Sequence, residues 1–197
     1  MTVSNSLKAL AKVWAVKRPM RYGALRPGAS PASKLVLALP RPLRTLYTWH
    51  DGLRDEHLAL EEEFGWPSLK AITQSKRSLD SMEKQRFFEA WAPGSWWNAG
   101  WQPVLQFNLE DFLCVDVAGT LGEGRGAVFI RRNASPTRTV LASSFDAWLE
   151  MHLKITEAGP EGGSEEAWLS HFGSPVAKRL RKKVEARFPR KVEARQS

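Results

Sequence analysis

The side chains that could carry out chemistry in this 197-residue chain are few and lie far apart. The four histidines are His50, His57, His152 and His171, and the only cysteine is Cys114. Only His50 and His57 are close in sequence, and no cysteine lies near them to complete a tetrahedral zinc site. No serine has the Gly-x-Ser-x-Gly surroundings of a nucleophile elbow. The sequence therefore predicts no catalytic residue, no metal site and no cofactor, and so a protein that is not an enzyme.

The histidines and the cysteine have surroundings that favour structural roles. His50 and His152 fall on the apolar faces of predicted helices, where a core histidine is the commoner outcome. Cys114 lies within the apolar run Phe112–Val115, which predicts a buried strand and an unreactive thiol. A single cysteine cannot form an internal disulfide, and this favours a reducing, cytoplasmic location.

Three alternating glycines, Gly122, Gly124 and Gly126, are superficially similar to a phosphate-binding loop. Such a loop delivers its phosphate to the N-terminus of the helix that follows it. A predicted strand follows here instead, so we interpret the glycines as a turn between two strands.

The net charge of +8 is distributed unevenly along the chain. Residues 1–33 hold six basic and no acidic residues, residues 34–155 hold 14 basic and 15 acidic ones, and residues 156–197 hold nine basic and six acidic ones. A domain that tracks phosphates concentrates Lys and Arg on its folded body. Because the central part is close to neutral, nucleic-acid binding is expected only through the basic ends of the chain.

The spacing of apolar residues predicts helices first, then strands, then a further helix. The predicted helices span 4–17, 39–50, 68–72 and 78–91. The predicted strands span 64–66, 101–109, 112–117, 127–130 and 139–142. Gly52 is expected to end the second helix in a left-handed conformation, and the pair Ser143-Ser144 is expected to cap the closing helix.

This order predicts an α+β fold, with a single largely antiparallel sheet packed against helices, N-terminal helices first and a helix closing the domain. We expect the domain over residues 1–155, a linker over 156–164 and a basic helical tail over 165–197. No apolar run approaches the roughly 20 residues that a membrane-spanning helix needs, and the N-terminus lacks the uninterrupted apolar stretch of a secretory signal. No membrane span is therefore predicted.

Tryptophans cluster in the segment that precedes the predicted sheet. Trp91 and Trp101 are expected in the core. Trp96, Trp97 and Asn98 lie in a loop bounded by Pro93-Gly94, and two adjacent side chains are not expected to point inward together. We therefore predict an exposed tryptophan here, as part of a partner-binding surface, because tryptophans often dominate the energetics of interfaces.

Acidic residues cluster between the second predicted helix and the first predicted strand. They are Asp55, Glu56, Glu61, Glu62 and Glu63, and with the neighbouring Arg54 they give a local charge of −4. An acidic surface would attract a basic partner and speed its capture. The alternative is a solvated loop that keeps the protein soluble, and the sequence leaves both open.

Several short stretches, in this order and spacing, resemble one known family. They include Leu25–Ser30, then Leu39-Pro40 with Trp49-His50-Asp51-Gly52, then Trp101-Gln102-Pro103 and Leu113–Val117. The pattern resembles the SUKH superfamily, the Smi/Knr type of domain, over about residues 3–153. Two departures are a short segment between Ser30 and Leu39 and a turn over 107–112 that has no glycine.

The resemblance implies a non-enzymatic protein-binding domain. Fungal members of this superfamily regulate cell-wall assembly, and many bacterial members are immunity proteins that neutralise toxins, often nucleases. We expect a monomeric immunity protein that binds a cognate toxin through the 95–98 loop and the acidic residues. The alternatives are a regulatory scaffold in cell-envelope or cell-wall assembly signalling, and nucleic-acid binding through the basic tails.

Overall fold

A computed structural model describes residues 2–54, 59–61, 64–107, 110–122, 124–135, 137–158 and 190–193. Within these residues the helices are α1 (Val3–Lys17), α2 (Pro19–Gly23), α3 (Lys34–Leu37), α4 (Arg41–Trp49), α5 (Leu69–Lys84) and α6 (Phe145–Ala158). The strands are β1 (Ala59–Glu61), β2 (Phe64–Gly65), β3 (Trp101–Gln106), β4 (Phe112–Asp116), β5 (Ala127–Arg131), β6 (Thr137–Ala142) and β7 (Arg190–Glu193). The predicted α+β class is confirmed.

The strands form one antiparallel sheet whose order follows the chain from β1 to β7. The four longer strands, β3 to β6, make its centre, and Cys114 on β4 lies opposite Phe129 on β5. Every residue of β4 and β5 is buried. Strands covered on both faces are expected to be continuously apolar rather than alternating, and this explains the run that predicted β4.

Helix α1 is an amphipathic helix docked on the domain. Leu7, Leu10 and Trp14 are buried, and α1 contacts α4 and α6. At its C-terminal end, Lys17 Nζ donates to the backbone carbonyls of Thr156 and Glu157, at 2.9 Å each. These carbonyls belong to the last turn of α6, where a cation complements the helix dipole.

The segment that precedes α3 runs back along the end of α4. The Ala29 amide donates to the Tyr47 carbonyl, and the Arg26 amide donates to the Gly52 carbonyl, both at 2.8 Å. A Cβ at Gly28 would lie 1.9 Å from the Thr48 carbonyl oxygen, so only glycine fits there. Gly52 has φ +76°, which confirms its predicted left-handed conformation.

Helix α5 differs from the prediction of two helices over 68–72 and 78–91. It is one helix that Ser68 caps, with the serine Oγ accepting from the Ala71 amide at 3.2 Å. The intervening residues include no proline or glycine, so nothing interrupts the backbone hydrogen bonds. The helix ends early because Arg86 adopts φ +55° and the Phe87 amide donates back to the Met82 carbonyl, as in a Schellman motif.

The C-terminal residues correct part of the predicted domain organisation. Helix α6 reaches Ala158, so the first three residues of the predicted linker are helical. Residues 190–193, predicted as part of a basic helical tail, form β7 and pair with β6, where Arg138 lies opposite Val192. The open edge of β6 supplies backbone partners that local helix propensity cannot reveal. The rest of the tail lies outside the described residues.

Membrane insertion has no candidate helix in the described part of the chain. None of the helices there combines the length and the apolar character needed to cross a bilayer.

Candidate functional site

The two tryptophans predicted to form a binding surface are both buried. Trp96 is 1% exposed and Trp97 is 0% exposed, so the predicted exposed tryptophan in this loop is wrong. Trp97 donates its indole N–H to Asp80 Oδ1 on α5, at 2.7 Å. Trp96 packs against Phe88, with ring centroids 4.0 Å apart. Both adjacent side chains are buried because the loop lies between the sheet and α5. Trp97 contacts Asp80 on α5, and Trp96 contacts Arg131 on β5.

Two buried arginines lie beneath the tryptophan cluster, Arg131 against Trp96 and Trp97 and Arg138 against Trp91 and Trp101. Arg131 on β5 and Arg138 on β6 are direct cross-strand partners, and they are 0% and 1% exposed. The Arg131 guanidinium lies 4.5 Å from the centroid of the Trp96 ring, and the Arg138 guanidinium lies 5.5 Å from that of Trp101. An aromatic face attracts a cation more strongly where water is excluded.

Backbone carbonyls complete the surroundings of the two guanidinium groups. Arg131 donates to the Glu110 carbonyl at 2.7 Å, and burial lowers its pKa below the ordinary value. Arg138 donates to the Ser95 carbonyl at 2.9 Å and to the Trp96 carbonyl at 3.1 Å. The arginines therefore hold the 95–98 loop against the sheet, and we assign this cluster to the fold.

The remaining predicted site residues do not complete a binding surface in the described part of the chain. Asn98 is half-buried, and its Oδ1 accepts from the Gly100 amide at 2.8 Å, which places it in a turn. Glu61 lies in β1. The structure does not describe the side chain of Glu61, nor the residues Asp55, Glu56, Glu62 and Glu63. The role of the acidic stretch therefore stays a prediction.

The glycine-rich turn after β4 is organised by an internal carboxylate. Asp116, at the end of β4, accepts hydrogen bonds from the Gly119 amide at 2.9 Å and the Leu121 amide at 2.8 Å. Thr120 donates to the same carboxylate at 3.2 Å and accepts from the Trp101 indole at 2.7 Å. Amide groups that could otherwise meet a phosphate are directed at Asp116 instead. The interpretation as a structural turn agrees with this geometry.

Three titratable side chains, Cys114, His152 and Tyr47, are buried in the core. Burial raises the pKa of the Cys114 thiol to about 12, so it is not a thiolate at neutral pH. Burial lowers the pKa of His152 to about 3, with the nearby positive charge of Arg18 adding to the effect. Burial, together with the charge of Asp51, also raises the pKa of the Tyr47 hydroxyl above its ordinary value. None of these three side chains is poised to exchange a proton near neutral pH.

A small apolar cavity lies between α1, α4, β3 and α6. Its volume is about 30 Å³, and its lining includes Trp14, Trp49, Trp148 and His152. Ligand pockets usually measure roughly 300–1,000 Å³. The cavity is therefore a packing defect of the core and not a binding pocket for a cofactor.

The sequence profile of the SMI1 / KNR4 family (SUKH-1) matches residues 32–151. The chain belongs to this family. The matched residues run from just before α3 to the middle of α6, so α1, α2 and β7 lie outside the match. No curated protein matches the chain closely enough to add to this assignment.

The arginine pair is the feature that the sequence analysis missed. Arg131 is the last residue of β5 and Arg138 is the second residue of β6, and arginines at strand ends ordinarily face water. A usable signal was the cluster of four tryptophans before the sheet, Trp91, Trp96, Trp97 and Trp101. The planar guanidinium group of arginine stacks favourably on aromatic faces, so such a cluster is a favourable environment for arginine.

Proposed function

We propose that this SUKH-1 domain is an immunity protein that binds a cognate toxin in the cytoplasm and blocks its active site, with no chemistry of its own. The family to which the chain belongs supports a role in protein–protein contact. The bacterial members described above, many of which neutralise toxins, support the narrower assignment. The resemblance implies that the toxins of bacterial members are often nucleases, so a nuclease is the toxin class to test first.

One observation carries the proposal: three polar side chains around the described core are directed at the fold itself. Asp116 holds the turn after β4, Asp80 holds Trp97, and Arg138 holds the 95–98 loop. Such a network makes a rigid domain with a fixed surface, and a rigid surface binds a protein with little loss of conformational entropy.

The test is rescue of growth. The toxin is sought among the products of the neighbouring genes. Cells that express such a toxin are expected to stop growing, and co-expression of the full chain is expected to restore growth. A purified complex of the two proteins is expected at a 1:1 ratio in size-exclusion chromatography. Growth arrest that persists despite stable, folded chain would reject the immunity role.

A regulatory scaffold is the outcome to distinguish. A scaffold would bind cell-envelope machinery and would leave the growth arrest unchanged.

The nucleic-acid alternative predicts a salt-sensitive affinity for DNA or RNA that is lost when residues 165–197 are deleted. If the full chain binds neither DNA nor RNA, that alternative is excluded.

The acidic stretch is tested by the same complex. Changing Glu61, Glu62 and Glu63 to Ala is expected to slow association with a basic toxin by roughly tenfold at low salt. An unchanged association rate would remove these residues from the interface and leave the immunity role standing.

A further inference from the structure

Every charged side chain in the first 50 residues is basic. There are nine, and the first acidic residue of the chain is Asp51. These residues form α1 to α4, and α4 contacts both α1 and α3. Six of the nine residues are exposed. One of them, Lys17, donates to the last turn of α6, and we call the other five the basic layer: Lys8, Lys12, Lys34, Arg41 and Arg44.

Two members of the basic layer lie where helix electrostatics disfavour them. Lys34 is the first residue of α3 and Arg41 the first residue of α4, and none of α1 to α4 has an acidic residue in its first turn. The N-terminal end of a helix carries partial positive charge, which prefers an acidic neighbour. Among the described residues, Lys8, Lys12, Lys34 and Arg41 form no ion pair. Charges that oppose local stability in this way are typical of functional surfaces.

Exposed aliphatic side chains accompany these charges. Val16, Met20 and Leu37 are 81%, 87% and 55% exposed, and all three lie in the same basic segment. Lys8, Lys12 and Val16 recur every four residues and so share one face of α1. Cations interspersed with exposed aliphatic groups suit a protein surface that offers both carboxylates and apolar contact.

Two other partners fit the basic layer less well. The apolar stripe of α1 is buried against the domain and so is not available to enter a lipid surface. Single-stranded nucleic acids stack their bases on exposed aromatic rings. The aromatic residues of this segment, Trp14, Tyr22, Tyr47 and Trp49, are all buried or half-buried.

We propose that the basic layer is the docking surface for an acidic face of the partner protein. This inference rests on the proposed function and adds the chemistry of the contact. Long-range attraction between the basic layer and carboxylates on the toxin would speed association, and the aliphatic groups would contribute contact after docking. The partner therefore presents acidic residues to this domain, in addition to any basic surface that the acidic stretch contacts.

The experiment measures association and dissociation rates of the full chain on the immobilised toxin that the growth test identifies, at low and at physiological salt. The test variant is Lys8→Glu/Lys12→Glu/Lys34→Glu/Arg41→Glu. The control variant is Lys70→Glu/Arg77→Glu, which reverses two exposed charges on α5. We expect the test variant to associate at least about tenfold more slowly at low salt and the control to stay within about twofold of the wild type.

The other outcomes separate the two proposals. A complex in which the test variant associates like the wild type overturns the basic layer and spares the immunity role. Absence of any complex overturns both. The same variants are also mixed with a 20-base-pair DNA duplex and with phosphatidylserine-containing vesicles. Loss of binding to either of these probes, with toxin binding intact, would reassign the basic layer to nucleic acid or to membrane and reject the acidic protein partner.

Discussion

Two groups of basic side chains in this protein have the same charge and opposite surroundings. Arg131 and Arg138 are buried under tryptophans and donate to backbone carbonyls. The basic layer, represented by Lys34 and Arg41, is exposed and forms no ion pair in the described part of the chain. A buried cation uses its donors to stabilise the fold, whereas an exposed cation is available to bind a partner.

His152 adds a third case to this comparison. It is a basic side chain buried between Trp14 and Trp148, with a ring stacked 5.3 Å from that of Trp148. An arginine keeps its charge on burial because its intrinsic pKa is very high, whereas a histidine becomes neutral. The three cases predict different responses to substitution and to pH.

The largest expected effect follows removal of one of the two tryptophan rings that cover Arg131. Trp97→Ala leaves a cavity above Arg131 and leaves Asp80 without its indole donor. We expect the free energy of unfolding to fall by about 3–5 kcal/mol in chemical denaturation. The control is Phe87→Ala, because Phe87 is 66% exposed, and its effect is expected to be within about 0.5 kcal/mol. Similar losses in both variants would contradict the structural role of Trp97.

The next effect tests the buried cation itself. Arg138→Met keeps the apolar stem of the side chain and removes the donors to the Ser95 and Trp96 carbonyls. We expect a loss of about 3 kcal/mol in the free energy of unfolding, somewhat reduced by relief of repulsion from Arg131. Arg41→Met in the basic layer is the matched control and is expected to be nearly neutral. A neutral result for Arg138→Met would mean that the carbonyls find other donors.

The third prediction concerns pH. The pKa of His152 is lowered from 6.5 to about 3 in the folded protein, so the unfolded chain binds the proton more readily between these values. Stability is therefore lost as pH falls below about 6.5, by about 1.4 kcal/mol per pH unit from this residue. His152→Phe keeps an aromatic ring and removes the titration. The difference in unfolding free energy between wild type and variant, measured from pH 7 to pH 4.5, is expected to change with that slope, and a constant difference would refute the assignment.

The smallest expected effect has the opposite sign. Lys34→Glu/Arg41→Glu places acidic residues at the starts of α3 and α4, where the helix dipoles favour them. We expect the free energy of unfolding to rise by about 0.3–1 kcal/mol at low salt, while toxin binding weakens. Arg77→Glu in the middle of α5 is the control and is expected to show no such gain. A loss of stability in the double variant would indicate that the two cations have partners within the fold.

Local patterns predicted most of the secondary structure but located α5 poorly. The limits of α1 and β4 came within one residue of the prediction because each carries an apolar pattern that local spacing reveals. The end of α5 depends on Arg86 in a left-handed conformation, which arginine rarely adopts. The residue types near position 86 therefore gave no sign that the helix ends there. The sequence also shows that the basic segment continues to Arg44. The charge count for residues 1–33 ended too early and assigned Lys34, Arg41 and Arg44 to the nearly neutral centre.

The sequence by itself determined the limits of α1 and β4, the left-handed Gly52 and the buried Cys114, since each depends on residues close together in the chain. It also determined the family, through the order of several such stretches. Only the tertiary structure decided the burial of Trp96 and Trp97, the positions of Arg131 and Arg138 beneath the tryptophan cluster, and the pairing of residues 190–193 with β6. These features depend on surfaces contributed by distant segments. Whether a side chain faces water is a property of what covers it, and local spacing does not contain that information.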